Sequence, residues 1–410
     1  MTYDFDTHRE EDMKKRVFAV VLSIALLFTM SVSVQTAGSV DASGITKTSY
    51  SNMTKGVWLA FCDFSSLGLY DKPLSTYKKN VNSILNKAKA AGCNTVYFHV
   101  RAFDDAAWYS TTFRASEYLC PHAHSYANAK TAYQTELGYD PFGVFVSCAE
   151  TKGINVEAYM NPYRITYSKF LDPASPYSRS RVYRAVRELK ENYNISGIHF
   201  DDYFYHSTSK YLYTTAASRY SKNPQGTLRT RKGITAAEKR KNCNLLVSGV
   251  YKKAHTAVSS KSTASGSSSV KFGISPAGNY ANCMAAGADV KTWCSKAGYV
   301  DYISPQIYWT NTYKLPSGSY TKLFNSRLKQ FQSLNKLDKP MYVGLALYRA
   351  GISDSNDKGW KKYTNNIATQ VKRIYSTGGE GYILFEASNL KSKSTAKKAE
   401  ISNLEQLLAE

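Results

Sequence analysis

Acidic side chains are scarce in this sequence of 410 residues: 31 Asp and Glu face 53 Lys and Arg, leaving a formal charge of +22. Glycine-rich phosphate cradles are missing, since neither G-x-G-x-x-G nor G-x-x-x-x-G-K-[ST] follows any strand-like run, and a nucleotide site therefore has no support. Cysteine is sparse and odd in number, seven with no C-x-x-C pair. Cys62, Cys93 and Cys148 sit in apolar stretches, where a thiol packs as a small hydrophobe. His122 and His124 stand apart from other ligand types, so mostly free thiols, no metal and no other cofactor are expected. No internal repeat is visible. Disorder is excluded by composition, because 43% of residues are hydrophobic and 13% aromatic, enough to offset chain entropy.

Long apolar runs are absent too. The N-terminal one, residues 17–30, is shorter than the roughly 20 residues that span a bilayer. Lys14-Lys15-Arg16 precede it and Ser33, Thr36, Ala37 and Gly38 follow, the layout of a secretory signal over residues 1–37. Met13 is an alternative start, because residues 1–12 are acidic and Met13 opens an ordinary basic lead. An uncleaved anchor is the other reading, and membrane contact is expected only through this segment. Residues 38–54 then form a Ser/Thr-rich spacer and residues 55–410 one domain, secreted or associated with a bacterial envelope. Removing residues 1–37, with four basic and five acidic side chains, leaves +23. Such a charge attracts anionic polymers through a salt-dependent field. The charge and the many tyrosines also raise nucleic-acid binding as a third reading, but export and the lack of any nucleic-acid motif weigh against it, and no nucleic-acid partner is expected.

Strand and helix signals alternate through the rest of the chain. Runs at 56–61, 94–100, 154–160, 196–200, 270–274, 300–307, 341–347 and 381–385 are short and rich in β-branched or aromatic residues. Helical spacing separates them: Val81, Ile84, Leu85 and Ala88 in one segment, Val182, Val186, Leu189 and Tyr193 in another. Thr235 and Glu238 read as a capping box. The fold class is therefore α/β, a single (β/α)₈ TIM barrel with a long loop after strand 4. An open doubly wound sheet is the alternative. Residues 203–232 lack apolar periodicity and read as that loop, and Ser-rich residues 259–269 as a flexible connector.

Barrel enzymes work at the C-terminal ends of their strands. Here those ends carry Cys62-Asp63, Arg101 running on to Asp104-Asp105, Asn161-Pro162-Tyr163-Arg164, Asp201-Asp202-Tyr203, Gln306-Ile307-Tyr308-Trp309, Tyr348-Arg349 and Glu386, with Glu157 inside strand 3. Glycoside hydrolysis needs this mixture: one carboxylic acid protonates the leaving oxygen, a carboxylate stabilises or attacks the anomeric centre, and aromatic rings stack on sugar. Asp201 or Asp202 is the expected nucleophile or electrostatic stabiliser, and Asp105 or Glu157 the proton donor. Arg101, Asn161, Tyr163, Arg164, Tyr203, Gln306, Tyr308 and Trp309 are the expected substrate-binding residues. Each has a plainer reading. An Asp pair after a strand is often a helix cap, Glu157 could be an ion-paired strand residue, and Arg101 and Arg164 could simply neutralise the acids.

The runs Gly56-Val57-Trp58-Leu59-Ala60, Val100-Arg101-Ala102-Phe103-Asp104-Asp105, Asn161-Pro162-Tyr163-Arg164, Gly197-Ile198-His199-Phe200-Asp201-Asp202-Tyr203 and Ser304-Pro305-Gln306-Ile307-Tyr308-Trp309 resemble, in order, the glycosyl-hydrolase-like 10 family. The resemblance extends over about residues 54–390. It implies a bacterial exported (β/α)₈ hydrolase acting on a polysaccharide, for which peptidoglycan glycan strands stripped of stem peptides are most often proposed. By position it makes Asp201 and Asp202 the strand-four acids, Asp105 the strand-two acid, and Asn161, Arg164, Gln306 and Trp309 polar and stacking positions. Ala102, Asp104, Glu157 and Glu386 depart from the family pattern. Strand four is also similar to the D-G-x-D-x-D-x-E strand of family 18 chitinases, but Ser196, His199 and Tyr203 replace three of its four acids. A non-catalytic glycan-binding barrel is the alternative function.

Overall fold

All eight β-branched and aromatic runs form strands in the computed structural model, which describes residues 50–206, 210–219, 221–230, 233–256 and 269–410. The barrel strands are β1 (Thr54–Leu59), β2 (Thr95–Arg101), β3 (Asn155–Met160), β4 (Gly197–Phe200), β5 (Lys271–Ile274), β6 (Tyr302–Ile303), β7 (Tyr342–Leu345) and β8 (Gly381–Phe385). They pair in parallel in the order β6-β5-β4-β3-β2-β1-β8-β7. Parallel bridges Ile303 to Met341 and Gln306 to Gly344 then join β6 to β7 and close the barrel. β6 is shorter than expected because Pro305, lacking an N–H, interrupts its ladder; the Pro305 carbonyl still accepts from the Gly344 N–H at 2.9 Å.

Crossover helices return the chain to the same end of the sheet, α1 (Leu74–Ala90), α2 (Pro141–Glu150), α3 (Pro176–Asn192), α4 (Ala236–His255), α5 (Val290–Ser295), α6 (Leu323–Leu334) and α7 (Asn366–Ser376), and α8 (Thr395–Ala409) follows the last strand. α1 buries Tyr77, Val81, Ile84, Leu85 and Ala88, one stripe at three- and four-residue spacing. α4 opens with the Thr235/Glu238 capping box expected from its sequence.

Two apolar clusters result. The larger lies between sheet and helices. The smaller fills the barrel with Trp58, Tyr97, Tyr159, Tyr302, Tyr342 and Ile383, residues at alternate, inward-pointing strand positions. These bulky side chains fit because glycines stand opposite them. A Cβ on Gly56 would lie 2.6 Å from the Tyr97 ring, one on Gly344 2.9 Å from Trp58, and one on Gly273 would overlap the Tyr302 ring. The barrel is therefore a packed column of aromatics, and its upper layers set the floor of the pocket mouth.

The described residues between 203 and 230 carry more regular structure than the sequence suggests. Lys210–Thr214 pairs in parallel with Lys169–Leu171 and antiparallel with Gly226–Arg229, a small three-stranded sheet over the β3 and β4 ends. The signal at 1–37, most of the spacer at 38–54 and nearly all of the connector at 259–269 lie outside the described residues. No helix among the described residues is long and apolar enough to cross a membrane.

Candidate active site

β4 delivers the central pair. Inward alternation places Gly197, His199 and Asp201 on the barrel side, so Asp201 emerges above the aromatic column. Its Oδ1 accepts from Gln306 Nε2 at 2.8 Å and its Oδ2 from the Tyr159 hydroxyl. Gln306 Nε2 is also held by the Ser275 carbonyl at 2.9 Å, which fixes its amide. The next residue, Asp202, donates its backbone N–H to Asp201 Oδ1 at 2.8 Å. Burial, and then the neighbouring Asp201 charge, push the Asp202 carboxyl well above the ordinary range. Neighbouring carboxylates resist ionising together, and the upward push on Asp202 favours its protonated form.

Arg164 supplies the cation beside this pair, where its charge opposes the upward push on Asp202. Its guanidinium lies 4.5 Å from the Tyr203 ring centroid and 4.9 Å from those of Phe103 and Tyr167, a cage of three aromatic faces. Its Nε is buried without a hydrogen-bond partner. Tyr308 completes the opposite wall, packed on Phe385 and Tyr348 and close enough to feel the charges of Asp201, Asp202 and Glu386. Trp309 is half-buried, its carbonyl tied to Gln370 Nε2 at 2.9 Å. Asp201, Asp202, Arg164, Tyr203, Gln306 and Tyr308 thus converge at one mouth.

The other sequence-selected residues do not join them. Arg101 is fully buried and bonds Asp104 and the carbonyls of Asn161 and Pro162, at 2.7 and 2.9 Å, clamping the β2 and β3 ends together. Asp104, in a left-handed conformation (φ 57°), is shared between Arg101 and Arg181. Burial alone would raise its carboxyl, but the two guanidinium groups hold it below the ordinary range. Asp105 caps its own turn, accepting from the N–H groups of Ala102 and Phe103 at 2.9 Å each. Asn161 is buried and donates to the Ala102 carbonyl at 3.0 Å. Tyr163 is fully buried near Tyr183, Tyr205 and Cys243 on the helix side of the sheet. Glu157 points inward one layer below Tyr159, beneath the mouth, and accepts from the Tyr302 hydroxyl. Burial pushes it up to about 8. Asp105 is thus engaged by its own turn and Glu157 by Tyr302, whereas Asp202 stands next to Asp201.

Tyr159 was not anticipated. The signal was its inward position on β3, two residues beyond Glu157. Asp63 and Glu386, at the ends of β1 and β8, also lie closer to one another than their separation in the chain discloses.

A closed eight-stranded barrel with acids, amide and aromatics at its C-terminal mouth defines the class as TIM-barrel glycoside hydrolases. The family model described as Glycosyl hydrolase-like 10 matches residues 165–362, so the resemblance drawn from the motifs holds. That span contains Asp201, Asp202 and Gln306. Glycosyl hydrolase DigH of Escherichia coli strain K12 is 25% identical, covering 86% of this chain and 87% of its own. Glycosyl hydrolase YngK of Bacillus subtilis strain 168 is 24% identical, covering 69% of this chain and 58% of its own. The glycoside hydrolase domain of PgaB from Bordetella bronchiseptica superposes with a TM-score of 0.50 at 11% identity, covering 86% of this chain and 99% of that one. It shares the fold.

Proposed function

We propose that this protein is a secreted or envelope-associated bacterial hydrolase that cleaves the glycan strands of peptidoglycan, with Asp202 as proton donor and Asp201 as the charge that stabilises the reacting sugar. The observation that carries the reading is the Asp201–Asp202 pair: one carboxylate fixed by Tyr159 and Gln306, and beside it a carboxyl that burial pushes well above the ordinary range. Asp202 gives its proton to the glycosidic oxygen as the bond to the anomeric carbon breaks. Positive charge develops on the sugar ring opposite Asp201. Water adds to that carbon, and the proton it loses restores the Asp202 acid. Asp201 and Asp202 are consecutive residues joined through the Asp202 N–H on Asp201 Oδ1, and Asp201 has a charge-stabilising role.

The substrate follows from the family resemblance and from charge. A chain at +22 is attracted to the anionic polymers of a wall. Export rests on the basic lead and apolar run at residues 14–30.

The test is product analysis. Purified protein is incubated with intact peptidoglycan, with strands stripped of stem peptides, and with chitin. Release of short saccharides from stripped strands in preference to chitin supports the reading. Retention of stripped strands in a pull-down with no product from any polymer supports a non-catalytic binder instead.

A further inference from the structure

The ends of β1 and β8 bring together a second polar group, apart from the Asp201 pair. Cys62 and Asp63 follow β1, Glu386 follows β8, and one ligand atom from each lies within 4.8 Å of the others. Asp63 is only 2% exposed, and its Oδ2 is buried without a hydrogen-bond partner. An orphaned carboxylate oxygen in that position costs free energy unless a proton or a cation satisfies it. Among the described residues neither Asp63 nor Glu386 forms an ion pair. Lys397, whose charge acts on Glu386, donates its hydrogen bond to Asn389 Oδ1 at 2.6 Å. Ser388 donates to Glu386 Oε1 at 3.2 Å, and Ser388 and Asn389 also lie against the Asp63 and Glu386 carboxyls, so the orphaned atom of the group is Asp63 Oδ2. Cys62 and Glu386 are half-buried, so solvent reaches the group, and Arg164, Tyr308 and Tyr348 of the mouth lie beside it.

We propose that Cys62, Asp63 and Glu386 bind one divalent cation of the zinc class. The ligand types select the ion: a thiolate disfavours magnesium and calcium, and two carboxylates with one sulfur suit zinc or cobalt. Around a tetrahedral zinc, with bonds of about 2.3 Å to sulfur and 2.0 Å to oxygen, ligand atoms sit about 3.5 Å apart, a modest contraction from the spacing here. Three protein ligands leave a fourth position for water or a sugar hydroxyl at the rim. Binding expels the Cys62 proton, so affinity rises with pH. Cys62, Asp63 and Glu386 all stand at strand ends of the rim, but more than three hundred residues separate Cys62 from Glu386, and only the closed barrel makes them neighbours. The inference is independent of the glycan cleaved, since it concerns ion binding alone.

Cobalt(II) titration of the metal-stripped full chain tests it. A thiolate-to-cobalt charge-transfer band in the near ultraviolet, saturating at one ion per chain and bleached by zinc, is the expected result. Cys62→Ser should abolish the band, Glu386→Gln should weaken binding at least tenfold, and Cys148→Ser should leave it intact. No band in the parent protein, or a band that survives Cys62→Ser, overturns the proposal.

Discussion

Tyr159 donates its hydroxyl to Asp201 across the adjacent strands β3 and β4, so the carboxylate at the mouth is held by the topmost ring of the barrel's aromatic filling. Packing and chemistry therefore share a residue. Replacing Tyr159 by Phe keeps the ring and removes the donor. A lost hydrogen bond to a charged group is worth about 1.5–3 kcal/mol, so kcat should fall roughly 10- to 100-fold. KM should change little, because the hydroxyl is turned toward Asp201, and steady-state kinetics separates the two.

Arg164 opposes the upward push on Asp202. Without the guanidinium Asp202 keeps its proton to higher pH. Arg164→Gln should therefore shift the alkaline limb of the kcat profile upward. A downward shift would show that another group sets that limb.

Glu157 lies deep in the barrel and titrates at about 8, above its ordinary 4.5, because burial penalises its charge. A carboxyl raised on folding binds more protons in the native than in the unfolded chain between those values. Its contribution is present at low pH and is lost as pH rises through about 8. Glu157→Gln retains an acceptor for Tyr302 and carries no charge. The variant should lose less stability than the parent between pH 6 and pH 9, as thermal unfolding across that range will show. Equal pH slopes would mean that Glu157 is not the responsible group.

Gly273 leaves the space that the Tyr302 ring occupies. Gly273→Ala forces the two together, and overpacking of this kind costs about 1–3 kcal/mol. Denaturant unfolding should show that loss, and the double variant Gly273→Ala, Tyr302→Leu should recover part of it.

Much of the barrel was legible because local chemistry and global fold agree. β1 to β5 and β7 and β8 each announce themselves by β-branched and aromatic residues, and the capping box at Thr235 marks α4. β6 is only Tyr302–Ile303, because Pro305 stops a ladder that the apolar pattern would continue. The sheet formed by Lys210–Thr214 was hidden because one of its partners, Lys169–Leu171, comes from the preceding crossover. At the site, Asp201, Asp202 and Gln306 stand at strand ends whose side chains turn into the mouth. Arg101, Asp105 and Tyr163 also follow strands, yet they turn into the wall, and position along the chain does not distinguish these directions. The support from Tyr159 requires knowing which β3 positions face inward.

The most direct measurement is the rate at which reducing ends appear from stem-peptide-free glycan strands with the parent protein, Asp201→Asn and Asp202→Asn. Loss of general acid catalysis costs about 10²- to 10⁴-fold, so Asp202→Asn should fall by that range, and Asp201→Asn by a comparable factor, while both still bind the polymer. Near-parental turnover in the Asp202→Asn protein would contradict the assignment of the acid.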